Sequence, residues 1–238
     1  MEERGVSTRI YPPGYGHSPI QSDYRPWEAD LSFLASWKKV RDRTMVDCAR
    51  LYELWELAGQ IPPDLPGAVL EVGAWRGGSA ALLGLRLREL GDYRPLVVAD
   101  TFEGVAKAGE KDPYYRGGEH ADTSLDSLVS FMEDLAIPDV TVLAGVFPDE
   151  TAHRVPVADI AFCHIDVDVY QSARDVFEWT WRRMPVGGIV VFDDYGFLGC
   201  EGVTRYVHTL RDNHDLVVTA NLNGHAVVVK TSERRRES

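Results

Sequence analysis

Two acidic pairs carry the strongest chemical signal in the chain. Asp166-Val167-Asp168 follows the apolar run Ile160–Ile165, and Asp193-Asp194 follows the apolar run Ile189–Phe192. If these runs are neighbouring strands, four carboxylates gather at one sheet edge. Like charges roughly 4 Å apart repel by about 4 kcal/mol at an effective dielectric of about 20, so such a cluster calls for a cation or for shared protons. Separate helix caps and solvated side chains would explain one pair easily but both pairs poorly. A hard divalent ion such as Mg2+ suits oxygen donors, and its water positions are open to exchange with substrate hydroxyls. The spacing of Cys and His offers no zinc-type cluster. Asp166, Asp193 and Asp194 are the expected ligands. Asp168 lies two positions beyond Asp166, near the ion without being forced to bind it, and is the expected general base toward a weakly acidic hydroxyl. His164 could also serve as base, but it lies two residues before Asp166, within the strand, and is expected to be a satisfied, partly buried histidine.

The elements that must position these residues alternate. Short apolar runs at Ala68–Val72, Leu96–Ala99, Val140–Leu143, Ile160–Ile165 and Ile189–Phe192 are separated by helix-length segments near 78–90, 122–136, 171–183 and 201–213. Such alternation predicts a parallel sheet with helices on both faces. The end departs from this, because Leu216–Leu222 and Ala226–Lys230 are β-rich runs joined through Asn223-Gly224, a strong hairpin signal. A mostly parallel, seven-stranded sheet closed by an antiparallel hairpin is the class I methyltransferase form of the Rossmann-like α/β fold. Ahead of it, residues 30–59 carry apolar groups at helical spacing, predicting two helices. Residues 1–27 are rich in Pro, Gly, Tyr and Ser. Their aromatics, Tyr11, Tyr15, Tyr24 and Trp27, suit an arm that packs on another subunit or closes over a site. The chain therefore divides into an N-terminal arm with helices over 1–60 and a catalytic domain over 61–232.

The first strand runs into Glu71-Val72-Gly73-Ala74-Trp75-Arg76-Gly77-Gly78-Ser79 and then a helix. A glycine turn at this point lets the backbone approach a ligand, and the helix N-terminus offers N–H groups to a carboxylate. The pattern E-x-G-x-x-x-G-G lacks the second glycine expected for a pyrophosphate. Taken alone, the turn also fits any tight strand-to-helix connection. The second strand leads to Asp100, placed to accept hydrogen bonds from ribose hydroxyls, although a helix cap or loop aspartate would look the same. Thr101 and Phe102 follow it.

Composition sets the limits. The chain has 238 residues and a net charge of -12, which argues against nucleic acid and anionic membranes as partners. Cys48, Cys163 and Cys200 show no paired spacing, and reduced, structural cysteines in the cytoplasm are expected. There is no signal-like N-terminus, and no run reaches the roughly eighteen apolar residues of a membrane span.

These stretches resemble the macrocin O-methyltransferase family, magnesium-dependent enzymes that methylate sugar hydroxyls of glycosylated natural products. The likeness rests on Arg43-Thr44-Met45, EVGAWRGGS, ADTFEG, IDVDVY and VFDDYG, spanning residues 43–196. The resemblance implies S-adenosylmethionine as cofactor, with Thr44 and Met45 near it alongside Glu71, Gly73, Gly77, Ser79, Asp100, Thr101 and Phe102. It implies Asp166, Asp193 and Asp194 on Mg2+ and Asp168 as base, in agreement with the charge argument. It further implies a small glycosylated acceptor and a homo-oligomer. Val167 stands where glycine is commoner in the family. The related catechol-type enzymes would have a lysine at the position of Val169 and an asparagine at that of Asp194, so an aliphatic hydroxyl is the expected acceptor. Residues 103–123 are polar and suit a substrate lid, with Tyr114 and Tyr115 either stacking on the acceptor or packing. Two other readings remain at this point: a metal-dependent hydroxylase or hydrolase, and a non-catalytic scaffold that kept the fold.

Overall fold

The computed structural model describes residues 14–15 and 23–233. Most of the aromatic arm, and the basic tail Arg234-Arg235-Arg236, lie outside the described residues. The strands are β1 (Ala68–Val72), β2 (Leu96–Asp100), β3 (Val140–Ala144), β4 (Ile160–Ile165), β5 (Ile189–Phe192), β6 (Leu216–Ala220) and β7 (Ala226–Lys230). The helices are α1 (Leu31–Val40), α2 (Cys48–Ala58), α3 (Gly78–Leu90), α4 (Leu125–Asp134), α5 (Tyr170–Trp181) and α6 (Glu201–Leu210). They form one seven-stranded sheet in the order β3-β2-β1-β4-β5-β7-β6. The first five strands run parallel, and β7 is antiparallel to both β5 and β6. This is the class I methyltransferase arrangement expected above.

Alternation along the strands divides the core. Val69, Val98, Phe162 and Val191 face α1, α2 and α3, where Phe33, Leu51, Leu54 and Trp55 complete the layer. Leu70, Val97, Cys163, Val190 and Phe192 face α5 and α6. The helices before β1 thus share a core with the sheet. Their starts are set by side-chain caps: Asp30 accepts from the Phe33 N–H, and Asp47 accepts from those of Ala49 and Arg50. Among the described residues, no helix is long and apolar enough to cross a membrane.

Strand order reverses between β1 and β4, and there the chain ends of both strands nearly touch. Gly73 has φ +91°, and a Cβ on it would lie 1.6 Å from the carbonyl oxygen of Asp166. Neither the backbone conformation nor the space admits a side chain. Gly73→Ala is expected to lower unfolding free energy by at least about 2 kcal/mol, read from urea denaturation.

Candidate active site

The sheet brings the two acidic pairs together as adjacent strand ends. Ile165 pairs with Phe192 in the β4–β5 register. Pairing continues one residue further, since the Asp166 N–H donates to the Val72 carbonyl and the Asp193 N–H to that of Ile165, both at 2.9 Å. Asp166, Asp193 and Asp194 each bring a carboxylate oxygen within 4.8 Å of the others. Asp168 has φ +65°, a left-handed conformation uncommon outside glycine. Its backbone N–H donates to Asp194 Oδ2 at 2.8 Å. The turn therefore ties the expected base to an expected ligand.

The charges do not balance within the cluster. Burial, followed by repulsion from Asp193 and Asp194, raises Asp166 well above the usual carboxylate range. Burial, followed by Asp168 and Asp193, does the same for Asp194. Asp168 is also raised, chiefly by burial, while a hydrogen bond from Tyr115 pulls the other way. Asp193 is the exception. Burial opposes its charge, but the nearby His164 ring, the hydrogen-bonded His225 and the Arg50 guanidinium hold it below the usual range. One arginine neutralises one member and leaves the Asp166–Asp194 side short of positive charge. Three converging carboxylates, with oxygen as the sole donor atom, fit a hard divalent cation.

A cavity of about 320 Å³ joins this cluster to the first turn of the sheet. Met45, Gly73, Asp100 and Thr101 line it on the side of the expected cofactor. Asp166, Asp168, Asp193 and Asp194 line it on the other. Asp100 Oδ2 accepts from the Trp75 N–H and Oδ1 from the Phe102 N–H, each at 2.7 Å. These bonds aim its carboxylate and leave lone pairs for a ligand's hydroxyls. Such a crevice at the reversal of strand order suits a nucleoside-bearing cofactor.

The remaining expected cofactor residues stand behind the cavity wall. Glu71 is fully buried, with Oε1 2.7 Å from His164 Nδ1. Gly77 takes a left-handed conformation before α3, and Ser79 is buried in that helix's first turn. Phe102 packs on the sheet core. The Thr44 hydroxyl accepts from the Val46 N–H. His164 is completely buried, further than expected, and only half satisfied: Nε2 faces Asp193 Oδ1 at 3.7 Å without a hydrogen bond. Burial disfavours its charged form, yet its carboxylate neighbours raise its pKa to about 9.

The model of the macrocin O-methyltransferase (TylF) family matches residues 35–225 of this chain. The chain belongs to that family. Its fold is that of the S-adenosylmethionine-dependent methyltransferases, and it is a methyltransferase by descent. It is 33% identical over 217 residues to the 8-demethyl-8-(2,3-dimethoxy-alpha-L-rhamnosyl)-tetracenomycin-C 4'-O-methyltransferase of Streptomyces olivaceus, covering 85% of this chain and 81% of that protein. It is 32% identical over 189 residues to the demethyldecarbamoylnovobiocin O-methyltransferase of Streptomyces niveus, covering 74% of this chain and 67% of the relative. Among solved structures it is similar to the O-methyltransferase NovP, with a TM-score of 0.70 and 26% identity over 80% of this chain and 83% of that one.

Several residues of this family member's site escape sequence reasoning. Arg50, buried on α2, donates from its guanidinium to Asp193 Oδ2 and to Asp47 Oδ2. A signal was present, because Arg50 interrupts the apolar stripe of Val46 and Leu54 at helical spacing. His225 approaches Asp193 from the C-terminal hairpin. Cys200 lies against Asp168 and Asp194, where burial and then those carboxylates keep its thiol protonated. Tyr115 donates its hydroxyl to Asp168 Oδ1, whereas Tyr114 is exposed.

The polar segment carrying Tyr115 is folded over the cavity. Lys107 pairs with Asp149 at 2.8 Å and Asp175 at 2.7 Å. The buried Asp112 accepts from the Tyr170 N–H at 2.9 Å, supplying α5 with the cap that Val169 cannot. Asp112→Ala is expected to cost about 1–2 kcal/mol in urea unfolding and to speed amide exchange over residues 105–116.

Proposed function

We propose that this chain transfers a methyl group from S-adenosylmethionine to an aliphatic hydroxyl of a glycosylated small molecule. On this reading Asp166, Asp193 and Asp194 hold Mg2+, and Asp168 is the general base. The observation that carries it is a single cavity bounded by Asp100 and the glycine turn on one side and by an under-neutralised oxygen-donor cluster on the other. The relatives' names support the acceptor class, since one of them is a 4'-O-methyltransferase of a rhamnosyl tetracenomycin.

When bound, S-adenosylmethionine supplies an electrophilic methyl group, and a divalent cation supplies charge that favours loss of the acceptor's proton. The chain's own residues do the rest. Gly73 and the turn after it let the cofactor approach the backbone, while Asp100 orients its ribose. Asp168, fixed through its N–H on Asp194 and its Oδ1 contact with Tyr115, takes the hydroxyl proton on its carboxylate. The folded segment carrying Tyr115 keeps bulk water from the reacting pair. Phe197, lining the cavity yet open to solvent, gives its mouth an apolar rim for the non-sugar part of the acceptor.

Two variants test the assignment with a glycosylated acceptor and a thermal-shift assay. Asp166→Asn should abolish both Mg2+-dependent turnover and the stabilisation that Mg2+ adds in the presence of S-adenosylhomocysteine. Asp168→Asn should keep both binding shifts and lose about 10²–10⁴-fold in kcat. A fully active Asp168→Asn enzyme removes Asp168 from the role of base. Absence of any stabilisation of the parent chain by S-adenosylhomocysteine removes the methyl-transfer reading.

A further inference from the structure

A buried row of alternating acids and histidines crosses the sheet just behind the cavity. Glu71 on β1 lies beside His164 on β4 in the strand register. Glu71 Oε1 is 2.7 Å from His164 Nδ1, and His164 Nε2 points at Asp193 Oδ1 from 3.7 Å. The same Asp193 oxygen is 2.7 Å from His225 Nε2, and His225 Nδ1 is 2.6 Å from Glu53 Oε2 on α2. Both imidazoles are completely buried.

Register explains why His225 arrives there. Phe192 pairs with Ala226 in the antiparallel β5–β7 ladder, so the residue after one faces the residue before the other. The hairpin turn fixes the approach: the Asn221 N–H donates to the His225 carbonyl at 3.0 Å, and Asn221 Oδ1 accepts from the His225 N–H at 3.1 Å. Asn221 Nδ2 also donates to Glu53 Oε2 at 2.5 Å, joining the turn to the acid that anchors the ring.

We propose that His225, anchored by Glu53, is a positioning residue that sets Asp193 for Mg2+. This rests on the metal reading given above. With Oδ1 on His225 and Oδ2 on Arg50, the Asp193 carboxylate cannot rotate, and each oxygen retains a lone pair toward Asp166 and Asp194. A ring held at Nδ1 by one carboxylate and presenting Nε2 to another is a rigid strut, and a packing role alone would be filled better by an apolar side chain. Partners of metal ligands typically govern metal affinity by about 10–100-fold.

The experiment is calorimetric titration of the full chain with Mg2+ in saturating S-adenosylhomocysteine. His225→Leu should raise the Mg2+ Kd by about 10–100-fold, with the S-adenosylhomocysteine Kd within about twofold of the parent. His225→Gln restores an N–H near the Nε2 position and should recover most of the affinity. Glu53→Gln, on the partly exposed side of α2, should weaken Mg2+ several-fold and serves if His225→Leu does not fold. Parent-like Mg2+ affinity in folded His225→Leu, or in Glu53→Gln, overturns the positioning role while leaving the metal reading intact. No Mg2+ binding by the parent itself overturns the metal reading and the positioning role with it.

Discussion

Mutual repulsion among carboxylates at the ends of β4 and β5 is the constraint around which this molecule is arranged. Asp166, Asp168, Asp193 and Asp194 converge at one edge, and Arg50 meets only Asp193. Burial strengthens each charge's effect on the others, since little water remains to screen them. The fold tolerates the crowd through backbone and side-chain donors: the Asp168 N–H on Asp194, the Tyr115 hydroxyl on Asp168, and His225 on Asp193. Asp166 and Asp194 are left without an ion pair among the described residues, and burial and mutual repulsion disfavour their charged forms.

Placing that cluster beside a cofactor crevice depends on backbone that ordinary residues avoid. Trp75, Phe102 and Asp168 all have positive φ, and each follows a strand that ends at the cavity. Unfavourable conformations persist where the surroundings over-determine them. Here those surroundings include the Asp100 carboxylate, which accepts from both Trp75 and Phe102. Asp100 thus shapes two loops while presenting the same carboxylate to the cavity. The hairpin likewise has two tasks: β7 continues the sheet beyond β5, and its first turn delivers His225 behind the acidic cluster.

The segment between β2 and α4 is more than a cover. Lys107, Asp112 and Tyr115 reach respectively an ion-pair partner on α5, that helix's first N–H group, and Asp168. A loop that caps a helix and contacts an acidic side chain at the site can respond to an acceptor and to the helix together. Its polar composition follows in part from this, because Lys107, Asp112, Tyr115, Arg116 and Asp122 each have a specific partner.

The sequence alone determined the order of elements, since apolar runs of strand length alternating with helical spacing admit few alternatives and Asn223-Gly224 signals a hairpin. It also placed Asp166, Asp168, Asp193 and Asp194 at the ends of two strands of one parallel sheet, and the pairing of β4 with β5 then decided that they meet. Local pattern did not say which side chains the neighbours would contribute. Arg50 comes from a helix before the sheet, Tyr115 from a loop without periodicity, and His225 from a strand that enters beside β5 in the opposite direction. Each reaches the cluster through contacts between segments far apart in the chain, and those contacts are fixed by register and packing. For the same reason, Glu71, which reads in sequence as part of the glycine turn, belongs in three dimensions to His164. It is fully buried and does not line the cavity.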